Sequence, residues 1–117
     1  MNRAQRGAAA EALAAQYLQE RGMTIVARNY RCRGGEIDLI GRDGDTLVFV
    51  EVRLRSSAAF GGAAESIGAR KRKRLALAAA HYLARIGREP LCRFDAILLA
   101  SLEPRDIEWL VDIDAHR

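Results

Sequence analysis

The pattern that most constrains this chain is a pair of β-prone runs meeting at a glycine. Glu36-Ile-Asp-Leu-Ile40 and Thr46-Leu-Val-Phe-Val-Glu-Val-Arg-Leu-Arg55 flank Asp43-Gly44, and Asp-Gly between alternating apolar residues is a strong short-range hairpin signal. Period-two alternation places Val48, Val50, Val52 and Leu54 on one face, which must be core. The other face presents Leu47, Phe49, Glu51, Arg53 and Arg55, while Ile37 and Leu39 alternate with Glu36, Asp38 and Ile40. A two-residue turn at Asp43-Gly44 pairs Arg42 with Asp45, Ile40 with Leu47, Asp38 with Phe49 and Glu36 with Glu51. Cross-strand partners share a face, so Glu36, Asp38, Glu51 and Arg53 converge on one patch. A three-residue loop would shift the register by one and send the acids to opposite faces.

The rest of the chain supplies elements to pack on that hairpin. Residues 4–21 read as an alanine-rich helix stopped by Gly22, and Met23 to Arg31 as a strand. Ser56 to Ala64 is a glycine- and alanine-rich loop, and 66–87 a second helix ending near Gly87. Leu91 to Ala100 and Ile107 to Val111 are two further strands. The order α-β-β-β-α-β-β predicts an α/β fold, a mixed sheet with helices packed on it, as one domain over residues 1–117. Half of the 117 residues are hydrophobic and only 2 are proline, which excludes a wholly disordered chain. No apolar run approaches the roughly 18–20 residues of a bilayer-spanning helix, and acid and glutamine interrupt the N-terminal alanine stretch where a signal peptide would be apolar. Cys32 and Cys92 are too few for a disulfide framework and lack metal-site spacing. The expectation is a soluble, cytoplasmic protein without a membrane partner.

Charge is unevenly spread. Residues 1–74 hold 14 Arg or Lys against 8 Asp or Glu, and residues 75–117 hold 5 against 7, giving +4 in all. Of the 19 basic residues, 17 are arginine. Arginine favours planar contacts with phosphate, so the excess leans towards an anionic partner. A genome rich in G and C would produce the same bias, and composition alone does not separate the two.

Crowded carboxylates on one sheet face repel unless a cation sits among them, a proton is shared or the patch is fully wet. A hard cation such as Mg²⁺ suits two carboxylates plus a backbone carbonyl; acids paired with Arg33, Arg53 or Arg55 on an exposed strand are the plainer explanation. Glu11 shares a helical stripe with Ala4, Gly7, Ala8, Ala15 and Leu18, opposite Arg6, Gln16 and Glu20, so it should face the sheet. There it needs a functional environment or an ion pair with Arg28 or Arg31. In the second helix Arg70, Arg74, His81 and Arg85 line one stripe opposite Leu75, Ala79, Leu83 and Ile86, with Lys71 and Arg72 nearer the apolar side. Such a stripe is either a phosphate footprint or an ordinary solvated face. His81 reads as a surface residue, Asp95 as structural and paired with an arginine, and Trp109 and Tyr82 as core.

Gly35-Glu36-Ile-Asp-Leu-Ile40, Val48-Phe-Val-Glu-Val-Arg53, Phe60-Gly-Gly, Lys71 to Leu75 and Cys92-Arg-Phe-Asp95 closely resemble the uncharacterised bacterial YraN-type family. That family is placed among restriction-endonuclease-like, PD-(D/E)XK proteins similar to archaeal Holliday junction resolvases. The resemblance covers nearly the whole chain and implies an αβββαβ core with a mixed central sheet flanked by helices. It implies that Asp38 and Glu51, with the Val52 carbonyl, hold Mg²⁺ or Mn²⁺, and that Glu11 is the first-helix glutamate of resolvase-like members. Arg53 departs from the superfamily pattern, standing where the motif lysine belongs. Arginine stays charged and cannot act as a base, though it can donate to a phosphate oxygen.

Two functions follow as expectations. One is a metal-dependent endonuclease acting on structured or branched DNA, with Asp38, Glu51, Arg53 and Glu11 as its catalytic set and Glu36 in support. The other is a catalytically silent nucleic-acid-binding module in DNA processing. In both, Arg55, Arg70, Lys71, Lys73 and Arg74 contact DNA. Arg53 leaves enzymatic activity open, and a homodimer is neither required nor excluded.

Overall fold

The structure, a computed structural model, describes residues 1–55 and 68–113. The expected loop over 56–64, the Phe60-Gly-Gly motif and the first residues of the expected 66–87 helix lie outside them. Helix α1 (Arg3–Glu20) leads into strands β1 (Thr24–Cys32), β2 (Gly35–Asp43) and β3 (Thr46–Leu54); helix α2 (Ala69–Ile86) then precedes β4 (Cys92–Leu99) and β5 (Ile107–Leu110). The five strands form one sheet in the order β1-β2-β3-β4-β5, with β3 and β4 parallel and the other neighbours antiparallel. This is the expected mixed sheet flanked by two helices, consistent with a restriction-endonuclease-like core. Among the described residues no helix is long and apolar enough to cross a membrane.

Each helix covers its own set of sheet residues. Ala10, Ala14, Ala15 and Leu18 of α1 pack with Leu39, Val48, Val50, Ile97 and Leu99. Leu75, Ala78 and Ala79 of α2 pack with Tyr30, Ile37, Ile40, Leu47 and Phe49. Strand β3 is therefore buried on both sides, which is why Leu-Val-Phe-Val reads as a continuous apolar run. Ala4 and Ala8, expected on the buried stripe of α1, are exposed, because the sheet contact begins only at Ala10.

Two expectations about the hairpin need correction. Asp43 pairs with Thr46, Arg42 with Leu47 and Ile40 with Phe49, so the turn residues are Gly44-Asp45 rather than Asp43-Gly44. Gly44 has φ 61° at the first central position, the place glycine occupies in a type II′ turn. Moving the turn by one residue slides the register by two, and a slide of two preserves the faces. Ile37 and Leu39, moreover, do not share a face: Ile37 packs under α2 and Leu39 under α1, while Ile40 returns to the α2 side. The alternation slips once at Asp38. Across the ladder it slips in step at Asn29, whose φ is 53°, so that Ala27 and Tyr30 both reach the α2 layer. The β1–β2 pairs run Arg28 with Leu39 and Tyr30 with Ile37, skipping the two residues between.

Gly35 sets how closely α2 approaches. A Cβ there would stand 2.5 Å from the Arg74 carbonyl oxygen and 3.0 Å from the Ala78 nitrogen. The absence of a side chain lets the first turns of α2 lie directly on β2.

Candidate active site

The β2–β3 ladder closes at Leu39 and Val50. Just beyond it, Asp38 Oδ2 accepts a hydrogen bond from the Val52 backbone N–H at 2.8 Å, a carboxylate taking the place of a ladder carbonyl. Glu51 follows Val50 and is only 1% exposed. Glu51 faces the charge of Asp38 across the open end of the ladder. Burial, and next the charge of Asp38, push Glu51 up to about 8. Burial likewise raises Asp38, partly offset by the Val52 N–H.

Lys71, in the first turn of α2, brings Nζ to 3.1 Å from Glu51 Oε1. Among the described residues the buried Glu51 Oε1 has this ion contact but no hydrogen bond. Glu36 stands on the rim, with Arg31, Arg74 and Lys71 at 3.8, 3.9 and 4.0 Å, loose pairs in half-exposed surroundings. Glu11 reaches in from α1 and lines the cleft together with Asn29. Burial and then the Asp38 charge raise it, against the opposing pull of Asn29 and Arg31. Together these groups line a cleft of about 240 Å³ between the starts of both helices and the open end of the hairpin.

The expected acids Glu11, Glu36, Asp38 and Glu51 thus meet in one cleft. Arg53 does not join them: it is exposed and lines two neighbouring grooves. Lys71, expected among the DNA-contacting residues of the helix, instead occupies the position beside Glu51. Arg70 and Arg74 line the groove with Arg53. Lys73 is exposed outside these linings, and half-buried Arg55 donates its backbone N–H to Leu99 at 2.8 Å. Arg6, expected on the side of α1 away from the sheet, instead lines a groove with Arg3 and with Val52, Arg53 and Leu54 of β3. Asn29, Arg3 and Arg6 were not singled out from sequence; Arg3, Gly7 and Glu11 at four-residue spacing are the signal that would have found Arg3.

Outside the cleft, Asp95 is fully buried as a structural anchor. It accepts hydrogen bonds from Arg93, from Trp109 Nε1 at 2.9 Å and from the Asp112 N–H at 2.9 Å. His81 is exposed and its Nδ1 lies 2.6 Å from the Tyr30 hydroxyl. Tyr82 is half-buried against the α2 core and Trp109 against the α1 core. Both cysteines are free thiols.

A five-stranded mixed sheet between two helices, with acids gathered where its central hairpin opens, defines the class: an α/β protein whose architecture is consistent with a restriction-endonuclease-like core. Within that class the chain belongs to the Uncharacterised protein family UPF0102, whose family model matches residues 10–99. It is 58% identical over 108 residues to a UPF0102 protein of Methylobacillus flagellatus, covering 92% of this chain and 95% of that one. A UPF0102 protein of Cupriavidus taiwanensis is 56% identical over 110 residues, covering 93% and 82%. One from Nitrosospira multiformis is 53% identical over 105 residues, covering 90% and 88%.

Proposed function

We propose that this protein is a metal-dependent endonuclease that hydrolyses phosphodiester bonds in structured or branched DNA. The observation that carries this reading is the Asp38–Glu51 pair: a half-buried and a fully buried carboxyl facing one cleft, with the Lys71 ammonium 3.1 Å from Glu51 Oε1. Burying an unsatisfied acid is costly unless something takes the proton's place. Among the described residues no group of three or more His, Cys, Asp or Glu is arranged to hold a metal. A pair of carboxylates with a backbone carbonyl nevertheless suits Mg²⁺ or Mn²⁺, which retain several waters. Asp38, Glu51 and the Val52 carbonyl would hold it. When bound, such a cation supplies Lewis-acid charge at the phosphoryl group and makes water acidic enough to attack near neutral pH.

The chain's own groups do the rest. Lys71 holds its ammonium 3.1 Å from Glu51 Oε1, so a phosphate oxygen entering the cleft meets a cation already in place. Arg53, fixed in its charge, grips phosphate from the adjoining groove. Glu11, raised by burial, is a carboxyl able to hold a proton in the same cleft. DNA as partner and the cytoplasm as compartment go with this reading.

A second reading, a silent binding module, is favoured by one observation: the resting Lys71–Glu51 contact is also what a purely structural neutralising pair would look like. Incubation with four-way-junction, single-stranded and duplex DNA in Mg²⁺ or Mn²⁺ decides between them. Parent protein should cut at least one substrate; Asp38→Asn with Glu51→Gln should bind DNA without cutting. Binding by the parent without metal-dependent cleavage would establish the silent module. Undiminished cleavage by the double variant would overturn the assigned site.

A further inference from the structure

We propose that one DNA strand, not an intact duplex, crosses the carboxylate cleft along a track formed by the starts of both helices, with Arg3 and Arg6 of α1 as its phosphate grips on one side and Arg53, Arg70 and Arg74 on the other. This rests on the nucleic-acid reading above and extends it to the strand's path and substrate class. A groove of about 690 Å³ is lined by Arg3, Arg6, Gly7, Val52, Arg53, Leu54 and Lys71. A second, of about 360 Å³, is lined by Glu36, Arg53, Gly68, Arg70, Lys71 and Arg74. The two share Arg53 and Lys71, and both border the carboxylate cleft, through Val52, Leu54 and Lys71 on one side and through Glu36 and Lys71 on the other.

Helix chemistry makes this arrangement informative. The N-terminus of a helix is its positive end, where acids are stabilising and cations are not. The first turn of α1 nevertheless holds two arginines and no acid. That of α2 holds no acid either, carries Arg70, Lys71 and Arg72 directly after Ala69, and has Gly68 as an N-cap without a side-chain bond. Two positive helix ends, each loaded with further cations, thus flank the same cleft. Among the described residues the side chains of Arg3, Arg6, Arg53 and Arg70 have no ion-pair or hydrogen-bond partner. Local preference is violated twice at one place, as happens where a polyanion is to be bound. The size of the site selects the form of that polyanion. Glu51, 1% exposed, lines a cleft of only about 240 Å³ between the two grooves, room for the backbone of one strand but not for the width of a regular duplex.

Fluorescence anisotropy of a labelled thymidine oligonucleotide, with metal-free protein, tests the track separately from cleavage. Arg3→Gln with Arg6→Gln should weaken binding on the order of tenfold and flatten the slope of log affinity against log salt by about 1.4, roughly 0.7 per lost contact on a single strand. Melting temperature should hold or rise, since two cations leave the positive end of α1. Arg3→Lys with Arg6→Lys should restore the slope. A glutamine variant that keeps the parent's slope overturns the track while leaving the assignment of Asp38 and Glu51 standing. Equal or tighter parental binding to a blunt duplex of the same length overturns the single-strand assignment. A parent that binds no DNA overturns the track and the function together.

Discussion

Replacing Glu51 with glutamine should stabilise the metal-free protein in mildly alkaline solution and leave it almost unchanged in acid. In the fold the Glu51 carboxyl is raised from an ordinary 4.5 to about 8, first by burial and then by Asp38. The folded state therefore binds more protons than the unfolded chain between these values, so this group's contribution is full below about pH 4.5 and is lost as pH rises through about 8. At about 1.4 kcal/mol per pKa unit the loss by pH 8 is on the order of 4 kcal/mol. Relaxation of the cleft reduces that to about 2–4 kcal/mol, or roughly 8–15 °C in melting temperature for a chain of this size. Glutamine keeps the volume and carries no charge to desolvate. Thermal melts in chelator across pH 5 to 8.5 should show the two proteins together in acid and diverging as pH rises. At pH 8, Mg²⁺ at ten times its dissociation constant should return about 1.4 kcal/mol to the parent and little to the variant. Parallel curves at every pH would refute the account of Glu51 as a carboxyl raised by burial and by Asp38.

Gly35→Ala places a methyl group 2.5 Å from the Arg74 carbonyl oxygen, and backbone cannot yield as a side-chain tip can. We expect a loss of about 1–3 kcal/mol in urea unfolding, with weakened DNA binding as Lys71 and Arg74 move off β2. Asp95→Ala strands the Trp109 indole N–H and the Asp112 N–H and leaves the Arg93 guanidinium with Asp43 alone. It should cost about 2–4 kcal/mol, and since Trp109 is the chain's single tryptophan, its fluorescence should shift with unfolding of β5.

The meeting of Asp38 and Glu51 was legible in the sequence because it depends only on parity. The turn was misplaced by one residue, which moves the register by two, and a period of two forgives that error. Had the displacement been odd, the acids would have parted. Strand β3 and the apolar side of α2 were legible for the same reason: their burial follows simple periods. What escaped was produced by packing between distant segments. Nothing within Arg70-Lys-Arg-Lys-Arg74 marks Lys71 as the one that meets Glu51; that follows from Gly35 admitting α2 so close to β2. The paired slip at Asn29 and Asp38 was equally hidden, since Ile37 and Leu39 alternate like any strand residues until two helices claim them from opposite sides.

That paired slip has a consequence for how the cleft endures change. It behaves like a dislocation running through two adjacent rows of a crystal, and neither row can heal alone. Straightening β1 at Asn29 would carry either Ala27 or Tyr30 out of the α2 layer while Ile37 and Ile40, on β2, stayed seated in it. Straightening β2 at Asp38 would do the reverse. The acids are therefore held where they are by the hydrophobic layers above and below them rather than by each other, and the fault should survive loss of either carboxylate, leaving a shaped cleft into which a different chemistry could be written.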